Sequence, residues 1–225
     1  GDGARKYLGD QFAGIGMNLI SVSPGHRETS GFGPPHGASE QQLTMGDYEA
    51  IVHRLTSLDG ASPMVQASAT MSYEGRQRDS FLFGVGDRFG EIRNMQVDRG
   101  QYISEEDLEG SRRVAVLGHT IVRELFGDDN PLGKTIRVAG SSFRVIGIMA
   151  SKGTAMGFDM DDIAMIPATV AIDMFDLPGV NQMLLRARDR TAVPTVIEVV
   201  KDLLRRRHRT EDFTVISQED LLKTV

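Results

Sequence analysis

The sequence predicts an α+β fold of two mixed α/β subdomains, one built from both ends of the chain and one inserted from its middle. Two observations carry this prediction. Strand–helix–strand patterns occur near each end, over residues 19–73 and 183–216, whereas the middle breaks into short elements separated by turns. Glycine supplies many of those turns, since 25 of the 225 residues are glycine, against a usual share of about 7%.

The first portion of the chain mixes helices and strands. Its pattern predicts, in chain order, a helix over residues 4–15, a strand over 18–23, a loop over 26–39, a helix from 45, and strands over 64–73 and 77–85. Thr44 is expected to cap the second helix together with Asp47, and Gly60 to end it. Glu74-Gly75 predicts a hairpin turn. The loop, rich in Gly, Pro, Ser and His, is a candidate contact surface.

The middle of the chain has shorter elements. Its pattern predicts, in chain order, one or two helical turns over residues 87–94, a helix over 104–110, a strand over 113–117, a helix over 120–126, strands over 134–138 and 142–149, and a loop over 151–159. Ser104 and Asp107 form a second capping pair. Gly127 is expected to end the longer helix, and Gly140 to reverse the chain between the two strands.

The last portion contains the most regular helix. The pattern predicts, in chain order, a strand over residues 163–166, a helix over 169–175, a strand over 183–188, a helix over 194–206, a strand over 213–216 and a final helix through 222. Pro194 is tolerated in the first turn of the long helix. Its buried face is predicted from apolar residues at helical spacing, namely Val196, Val199, Val200, Leu203 and Leu204.

Composition excludes several classes of function. The net charge is −6, so no domain-wide basic surface is available to bind nucleic acid. Cysteine is absent, which excludes disulfides, thiolate catalysis and Cys-ligated metal ions. No stretch approaches the roughly 20 apolar residues of a membrane helix, and no apolar core of a signal peptide follows the first residues. We therefore expect either a cytosolic protein or a segment of a larger one.

One short pattern resembles the end of a phosphate-binding loop. It is Gly133-Lys134-Thr135, but the position where that loop requires its first glycine is Asp128. The segment also follows a predicted helix and opens a strand, whereas a phosphate loop follows a strand and opens a helix. We therefore interpret these residues as a turn.

Two further patterns also lack the context that binding requires. Gly84, Gly86 and Gly90 resemble a dinucleotide-binding fingerprint, but the third glycine stands one position late and no long helix follows. Residues 159–162 carry three aspartates without the Gly and Glu that a calcium loop requires. We therefore interpret the glycines as turn residues and the aspartates as an acidic surface turn.

The histidines do not form a recognisable metal or catalytic site. They are His26, His36, His53, His119 and His208. No two are four residues apart on a helix, as a zinc-protease pair would be. His208 follows three arginines at the end of the long helix, where cations complement the helix dipole; contact with an acidic partner is the alternative. No G-x-S-x-G motif occurs, so the sequence nominates no catalytic, cofactor-binding or metal-binding residue.

One set of segments is more specific than these motifs. The segments, in chain order, are Arg-Val-Ala-Val-Leu-Gly at residues 113–118, Glu-Leu-Phe-Gly at 124–127, Asn-Pro-Leu-Gly-Lys-Thr-Ile at 130–136 and Phe-Arg-Val-Ile-Gly at 143–147. Together they resemble the periplasmic core domain of MacB-type ABC transporter permeases. Flanking segments resemble the same family in the same order, over residues 18–22, 159–162, 166–167, 203–208 and 212–215. The resemblance therefore spans nearly the whole chain.

The resemblance implies a non-enzymatic domain outside the cytoplasmic membrane. Residues 1–85 and 163–225 would form a porter-like subdomain, and residues 86–162 an inserted Sabre-like subdomain. Both ends would join membrane helices. The implied role is mechanotransmission, in which ATP hydrolysed in the cytoplasm moves the periplasmic part and drives export. The implied partners are a MacA-like adaptor, a second permease copy and a cytoplasmic ATP-binding domain or subunit; no cofactor and no nucleic acid are implied.

Two alternatives remain open. One is an extracytoplasmic substrate-binding or lipoprotein-release module of a related permease, which ligand-dependent melting would support. The other is a stand-alone enzyme, which a cluster of polar side chains with strongly perturbed pKa values would support. The Asn-Pro-Leu-Gly-Lys-Thr segment favours the MacB-type permeases over those that release lipoproteins.

Overall fold

The computed structural model describes residues 18–25, 42–155 and 157–223. Its helices are α1 Met45–Arg54, α2 Phe89–Ile92, α3 Glu105–Glu109, α4 His119–Phe126, α5 Ala168–Met174, α6 Val193–His208 and α7 Gln218–Lys223, with a 3₁₀ turn at Arg190–Ala192. Its strands are β1 Leu19–Pro24, β2 Gly60–Tyr73, β3 Arg76–Val85, β4 Val97–Gly100, β5 Val114–Leu117, β6 Thr135–Val138, β7 Ser141–Met149, β8 Thr154–Ala155, β9 Phe158–Asp159, β10 Ile163–Pro167, β11 Gln182–Arg186 and β12 Phe213–Ser217. The predicted α+β class is confirmed.

Two sequence predictions cannot be compared with the structure. The helix over residues 4–15 and the loop over residues 26–39 lie outside the described residues. Within the described ranges, every helix is too short or too polar to cross a bilayer.

The described residues form two compact units, and the first includes those up to Pro63, Ile92–Asn94 and those from Pro178 onward. In this unit β1 lies between β11 and β12 and runs antiparallel to both. Helix α6 packs against β1, β12 and α1. The core of this unit therefore forms where the apolar side chains of β1 meet the buried face of α6.

The buried face of α6 follows helical spacing. Val193, Val196, Val200, Leu204 and His208 are buried, at intervals of three and four residues. The predicted positions 196, 200 and 204 are confirmed. Positions 199 and 203 are only half-buried. The buried face is narrow, and each of these residues lies at its edge, next to a buried position.

The second unit comprises Met64–Glu91 and Met95–Leu177. Its strands lie in the order β2-β3-β10-β5-β7-β4, and β6 pairs with β2 and β7. Most neighbours are antiparallel, but β10 is parallel to β3 and β5 is parallel to β7. Helices α4 and α5 pack against β3, and α5 lies over Gly84, where an added Cβ would meet the Ala171 side chain.

The bounds of these units differ from the predicted subdomain boundaries, which fall after residues 85 and 162. The reason is strand pairing: β10 pairs with β3 over five residues and also with β5. Residues 163–177 and the β2–β3 hairpin therefore belong to the same compact unit as the middle of the chain. The assignment of a porter-like and a Sabre-like subdomain stays a prediction.

The predicted N-terminal caps of two helices and one predicted hairpin turn are confirmed. Thr44 and Asp47 exchange hydrogen bonds of 3.0 Å between side chain and backbone at the start of α1. A second capping box joins Ser104 to Asp107 at the start of α3. At the β2–β3 hairpin, Glu74-Gly75 has positive φ at both residues, 44° and 83°, which is the geometry of a type I′ turn.

Three local predictions differ from the structure. Helix α1 ends at Arg54, with Leu55 as its C-cap, well before Gly60. Before Gly60 the chain already joins the sheet, since the Asp59 amide donates to the Arg186 carbonyl of β11 at 2.7 Å. Strand β4 was not predicted, since its four residues are mostly exposed and form a strand only by pairing with β7. The predicted loop over residues 151–159 contains the short hairpin β8–β9.

Candidate functional site

The four segments that carry the family resemblance lie together in the second unit. Residues 113–118 contain β5 and the turn into α4, and residues 124–127 end α4. Residues 130–136 lead into β6, and residues 143–147 lie in β7. Because β7 pairs with both β5 and β6, the segments form one continuous structure, which we call the motif cluster.

Two glycines of the motif cluster stand where backbones touch. A Cβ atom at Gly118 would overlap the carbonyl oxygen of Asp161, and one at Gly147 would overlap the carbonyl oxygen of Gln101. The amide of Gly118 also donates to the carbonyl of Ile163 at 2.9 Å. Only glycine allows such close approach without moving the backbone. These family-marking residues therefore hold the shape of the domain.

The Asn-Pro-Leu-Gly segment is a rigid link between α4 and β6. The Asn130 side-chain oxygen accepts the Leu132 amide at 3.2 Å and a guanidinium N–H of Arg99 at 3.1 Å. Gly133 has φ of 82°, and its amide donates to Val145 at 2.8 Å. Lys134 and Thr135 then lead, exposed, into β6. The prediction that Gly133-Lys134-Thr135 opens a strand is confirmed.

One of the three aspartates at residues 159–162, Asp161, anchors the chain before β10. The buried Asp161 carboxylate accepts the Lys152 amide at 2.7 Å, the Ser151 hydroxyl at 2.7 Å and the Gly153 amide at 3.1 Å. Burial acts to raise the pKa of Asp161, but these hydrogen bonds outweigh it and hold the pKa below its ordinary value. Asp161 therefore stays ionised and fastens the loop that follows β7.

The other two aspartates are also bonded to protein groups. Asp162 receives two hydrogen bonds from the Arg78 guanidinium, at 2.9 and 3.0 Å, and one from Ser80 at 2.6 Å. Asp159 accepts the Thr120 hydroxyl at 2.7 Å. In the described ranges, no three His, Asp or Glu side chains stand together as metal ligands. The acidic turn joins β3, α4 and β10.

The dinucleotide-like glycines lie at packing contacts. A Cβ atom at Gly84 would lie 2.6 Å from the Ala171 side chain of α5, and one at Gly90 would lie 3.2 Å from the Tyr102 ring. Because neither glycine has a side chain, a neighbouring part of the structure packs closely against each of them. Their interpretation as structural glycines agrees with these contacts.

The described histidines occupy three different environments. His26 and His36 lie outside the described residues. His53 is exposed on α1, and His119 lies at the surface, 3.4 Å from Asp98. His208, predicted as a cation at the end of the long helix, is instead buried, with 8% of its surface exposed.

His208 lies between two buried carboxylates. Its Nδ1 is 2.7 Å from Asp212 Oδ1, and its Nε2 is 2.7 Å from Asp47 Oδ2. Arg207 Nε donates to the other oxygen of Asp47 at 2.8 Å. We call Asp47, Arg207, His208 and Asp212 the histidine cluster. It joins the first turn of α1, the end of α6 and the residues that lead into β12.

The charge state of this cluster follows from its geometry. A carboxylate only accepts hydrogen bonds, so both ring nitrogens of His208 must donate, and the ring is an imidazolium. Burial acts to lower the pKa of His208, but the hydrogen bonds and charges of Asp212 and Asp47 outweigh it and raise the pKa. Burial acts to raise the pKa of Asp47, but bonds from Arg207, Thr44 and His208 outweigh it and lower the pKa. The cluster is thus a buried ion-pair network.

The sequence alone does not predict this cluster, although it contains one signal of it. His208 is four residues beyond Leu204, so it continues the buried face of α6, and Asp212 is four residues beyond His208. Asp47 is 161 residues away in sequence, and no local pattern could have indicated its contact.

A shallow surface depression of about 540 Å³ lies along the exposed side of α6. The described residues that line it are Pro194, Thr195, Glu198, Val199, Asp202 and Arg205. It contains no residue of the motif cluster or of the histidine cluster.

Comparisons with known proteins identify the family. The family described as the MacB-like periplasmic core domain matches residues 1–203. The macrolide export ATP-binding/permease protein MacB of Chlorobium luteolum is 30% identical over 215 residues, covering 94% of this chain and 32% of the relative. MacB of Marinobacter nauticus is 30% identical over 227 residues, covering 100% of this chain and 34% of the relative. The chain thus spans about a third of the length of these relatives.

Solved structures share the fold. The periplasmic region of MacB from Actinobacillus actinomycetemcomitans matches with a TM-score of 0.80 and 20% identity, over 95% of this chain and 94% of that one. The extracellular domain of the noncanonic ABC-type transporter YknZ from Gram-positive bacteria matches with a TM-score of 0.73 and 16% identity, over 89% of this chain and 100% of that one. With the family match over residues 1–203, these findings establish that the chain belongs to the MacB-like periplasmic core domain family.

Proposed function

We propose that this chain is the extracytoplasmic domain of an ABC transporter permease and transmits motion rather than performing chemistry. In this role, ATP hydrolysed by a cytoplasmic ATP-binding domain or subunit moves the membrane helices of two permease copies. The domain passes that motion to a MacA-like adaptor and so drives export. Family membership supports the permease assignment.

The structural observation that carries the proposal is the pairing of β1 with β12. The strands are antiparallel, with Ile20 opposite Ser217 and Pro24 opposite Phe213. The chain therefore enters β1 and leaves β12 at the same end of this sheet. A domain placed between two membrane helices requires both of its connections on one side.

The elements at that end are also tied together. Helix α7 follows β12 directly and is capped by Ser217, whose hydroxyl accepts the Asp220 amide at 3.0 Å. Arg190, in the turn before α6, forms an ion pair with Glu219 of α7. A displacement of α7 would thus act on the start of α6, and α6 is a continuous 16-residue helix. Stiff elements linked in series are what transmission of motion requires.

A distance measurement in the full-length transporter tests the proposal. The chain contributes no cysteine, so a spin label at Glu198→Cys on the exposed side of α6 reports the distance between the two copies. We expect the distance distribution to shift between the nucleotide-free and the ATP-trapped transporter. A variant that binds ATP without hydrolysing it should not cycle between the two distributions. An unchanged distance during active hydrolysis would contradict mechanotransmission.

Binding to the adaptor is a separate test. The folded chain should retain the adaptor encoded with its parent protein in a pull-down, and heat-unfolded chain serves as the control. Macrolides should leave the melting temperature of the chain unchanged. A ligand-dependent rise in melting temperature, together with no adaptor binding, would instead support a substrate-binding module.

A further inference from the structure

The histidine cluster fastens three elements of the first unit. Asp47 belongs to α1, Arg207 and His208 to the last turn of α6, and Asp212 to the segment that leads into β12. A backbone hydrogen bond of 2.7 Å from Gly25 to Asp212 adds the end of β1. The cluster therefore lies at the end of the β1–β12 pair opposite to the one where the chain enters β1.

Asp47 serves two structures at once. It caps α1 through Thr44, with both hydrogen bonds at 3.0 Å, and it holds His208 and Arg207 through its two oxygens. The other capping box, Ser104 with Asp107, has no histidine partner among its hydrogen bonds in the described structure. The start of α1 is thus linked to the charge of His208 in a way that the start of α3 is not.

The charged groups around His208 come from a small set of elements. Asp47 faces it from α1 and Asp212 from the segment before β12, while Arg207 reaches it only through Asp47. Glu211 forms an ion pair with Arg205, at 2.7 Å. Strands β1 and β12, against which α6 packs, contain no titratable side chain, and Phe213 of β12 presents its ring edge-on at 6.0 Å. The proton on His208 is therefore held by the two aspartates.

Loss of that proton turns one of the two attractive contacts of His208 into a repulsive one. A neutral imidazole has one donor and one acceptor nitrogen, so one of its two 2.7 Å contacts would then face a carboxylate lone pair with no hydrogen between them. The aspartates would be left as buried carboxylates 2.7 Å from an uncharged ring. Separation of α1 from α6 relieves this repulsion, because it lets water reach the carboxylates.

We propose that Asp47, His208 and Asp212 form a pH-dependent latch that fastens the first turn of α1 to the end of α6 while His208 is protonated and releases it when the proton is lost. This inference concerns the chain itself and does not depend on the proposed transport role. The latch is closed at mildly acidic pH, below the ordinary histidine pKa of about 6.5. Its alkaline limit is the deprotonation of His208, and its acid limit is the protonation of Asp47.

Amide hydrogen exchange of the chain tests the latch. The reporter is the Tyr48 amide, which is bonded to Thr44 in the first turn of α1, and amides of β3 serve as internal reference. Protection factors, corrected for the intrinsic pH dependence of exchange, should fall for Tyr48 as the pH rises from the ordinary histidine pKa of about 6.5 to the raised pKa of His208, while those of β3 stay level. Because one proton is linked to opening, the fall is expected to approach about tenfold per pH unit.

Matched variants separate the latch from a general alkaline effect. His208→Gln keeps a polar side chain but cannot carry the charge, so it should abolish the pH dependence of Tyr48 protection. His53→Gln makes the same change at an exposed position of α1, the helix that contains Tyr48, and should leave the pH dependence intact. A flat Tyr48 protection profile in the unmodified chain, or an equal loss in both variants, would overturn the proposal.

A direct measurement decides the question if His208→Gln does not fold. Nitrogen-15 spectra of the unmodified chain report the charge of each histidine ring. We expect the His208 ring to remain an imidazolium, with both nitrogens protonated, to higher pH than an ordinary histidine of pKa about 6.5. Deprotonation of every described histidine at or below that ordinary value would overturn the latch.

Discussion

Gly118 lies directly against the backbone of Asp161, so closely that a Cβ atom on Gly118 would overlap the Asp161 carbonyl oxygen. The contact joins the turn between β5 and α4 to the acidic turn before β10. Two segments that carry the family resemblance, 43 residues apart, therefore meet through their main chains. This contact explains why the residue that follows β5 is glycine.

Gly118→Ala should destabilise the chain. The added methyl group must displace the backbone of Asp161 or Ile163, and overpacking of this kind costs about 1–3 kcal/mol. Urea unfolding measures the change in free energy. Gly46→Ala is the control, because a Cβ there meets its nearest atoms at ordinary distances of 3.4 and 3.5 Å and should cause no loss. Equal stability of both variants would show that the contact is relaxed in solution.

Asp161→Asn should loosen the loop after β7. An amide cannot accept all three hydrogen bonds from Ser151, Lys152 and Gly153, so an unsatisfied donor costs about 1–3 kcal/mol. Trypsin cleavage after the exposed Lys152 should therefore accelerate. Asp128→Asn, on an exposed residue, is the matched change and should not alter cleavage. Cleavage at the original rate in Asp161→Asn would refute the anchoring role.

The Asp161 anchor should also weaken in acid. The pKa of Asp161 is lowered in the folded chain, so its contribution to stability is present above its unfolded pKa of about 3.9 and is lost as the pH falls through the folded pKa. The difference in unfolding free energy between the unmodified chain and Asp161→Asn should therefore shrink on acidification. A difference in unfolding free energy that does not change with pH would contradict this expectation.

Arg78→Lys should cost about 1 kcal/mol, because lysine cannot make the two parallel hydrogen bonds that Arg78 makes to Asp162. The pair joins β3 to the acidic turn and is partly buried, with 30% and 20% of the two side chains exposed. Arg88→Lys, at the more exposed pair with Glu91, should change stability by less than about 0.5 kcal/mol. Thermal unfolding measures both. The opposite ranking would contradict the structure.

Asp47→Asn should destabilise the chain more than Asp107→Asn does. Both aspartates belong to capping boxes, and loss of a cap costs about 1 kcal/mol. Asp47 also holds the buried His208, and removal of one partner from a buried ion pair costs about 3 kcal/mol or more. Urea unfolding at neutral pH should therefore separate the two variants by about 2 kcal/mol or more. Equal losses would indicate that the ion pair contributes little.

The sequence was sufficient for features that depend on neighbouring residues. The capping boxes at Thr44 and Ser104 and the hairpin turn at Glu74-Gly75 were predicted because their hydrogen bonds and φ angles involve residues within four positions. The same holds for the end of α4 at Gly127. Strand β4 was not predicted, because its residues form a strand only where β7 supplies the partner.

The amino-acid sequence by itself determined the α+β class, the helix starts, the turns and the family resemblance, since each of these depends on local conformational preference or on motif order. Only the tertiary structure decided which strands share a unit, that Gly118 meets Asp161, and that His208 is a buried cation rather than an exposed helix end. The physical reason is distance along the chain. The charge of His208 depends on Asp47, 161 residues away, and desolvation and ion pairing exist only after folding brings such groups into contact.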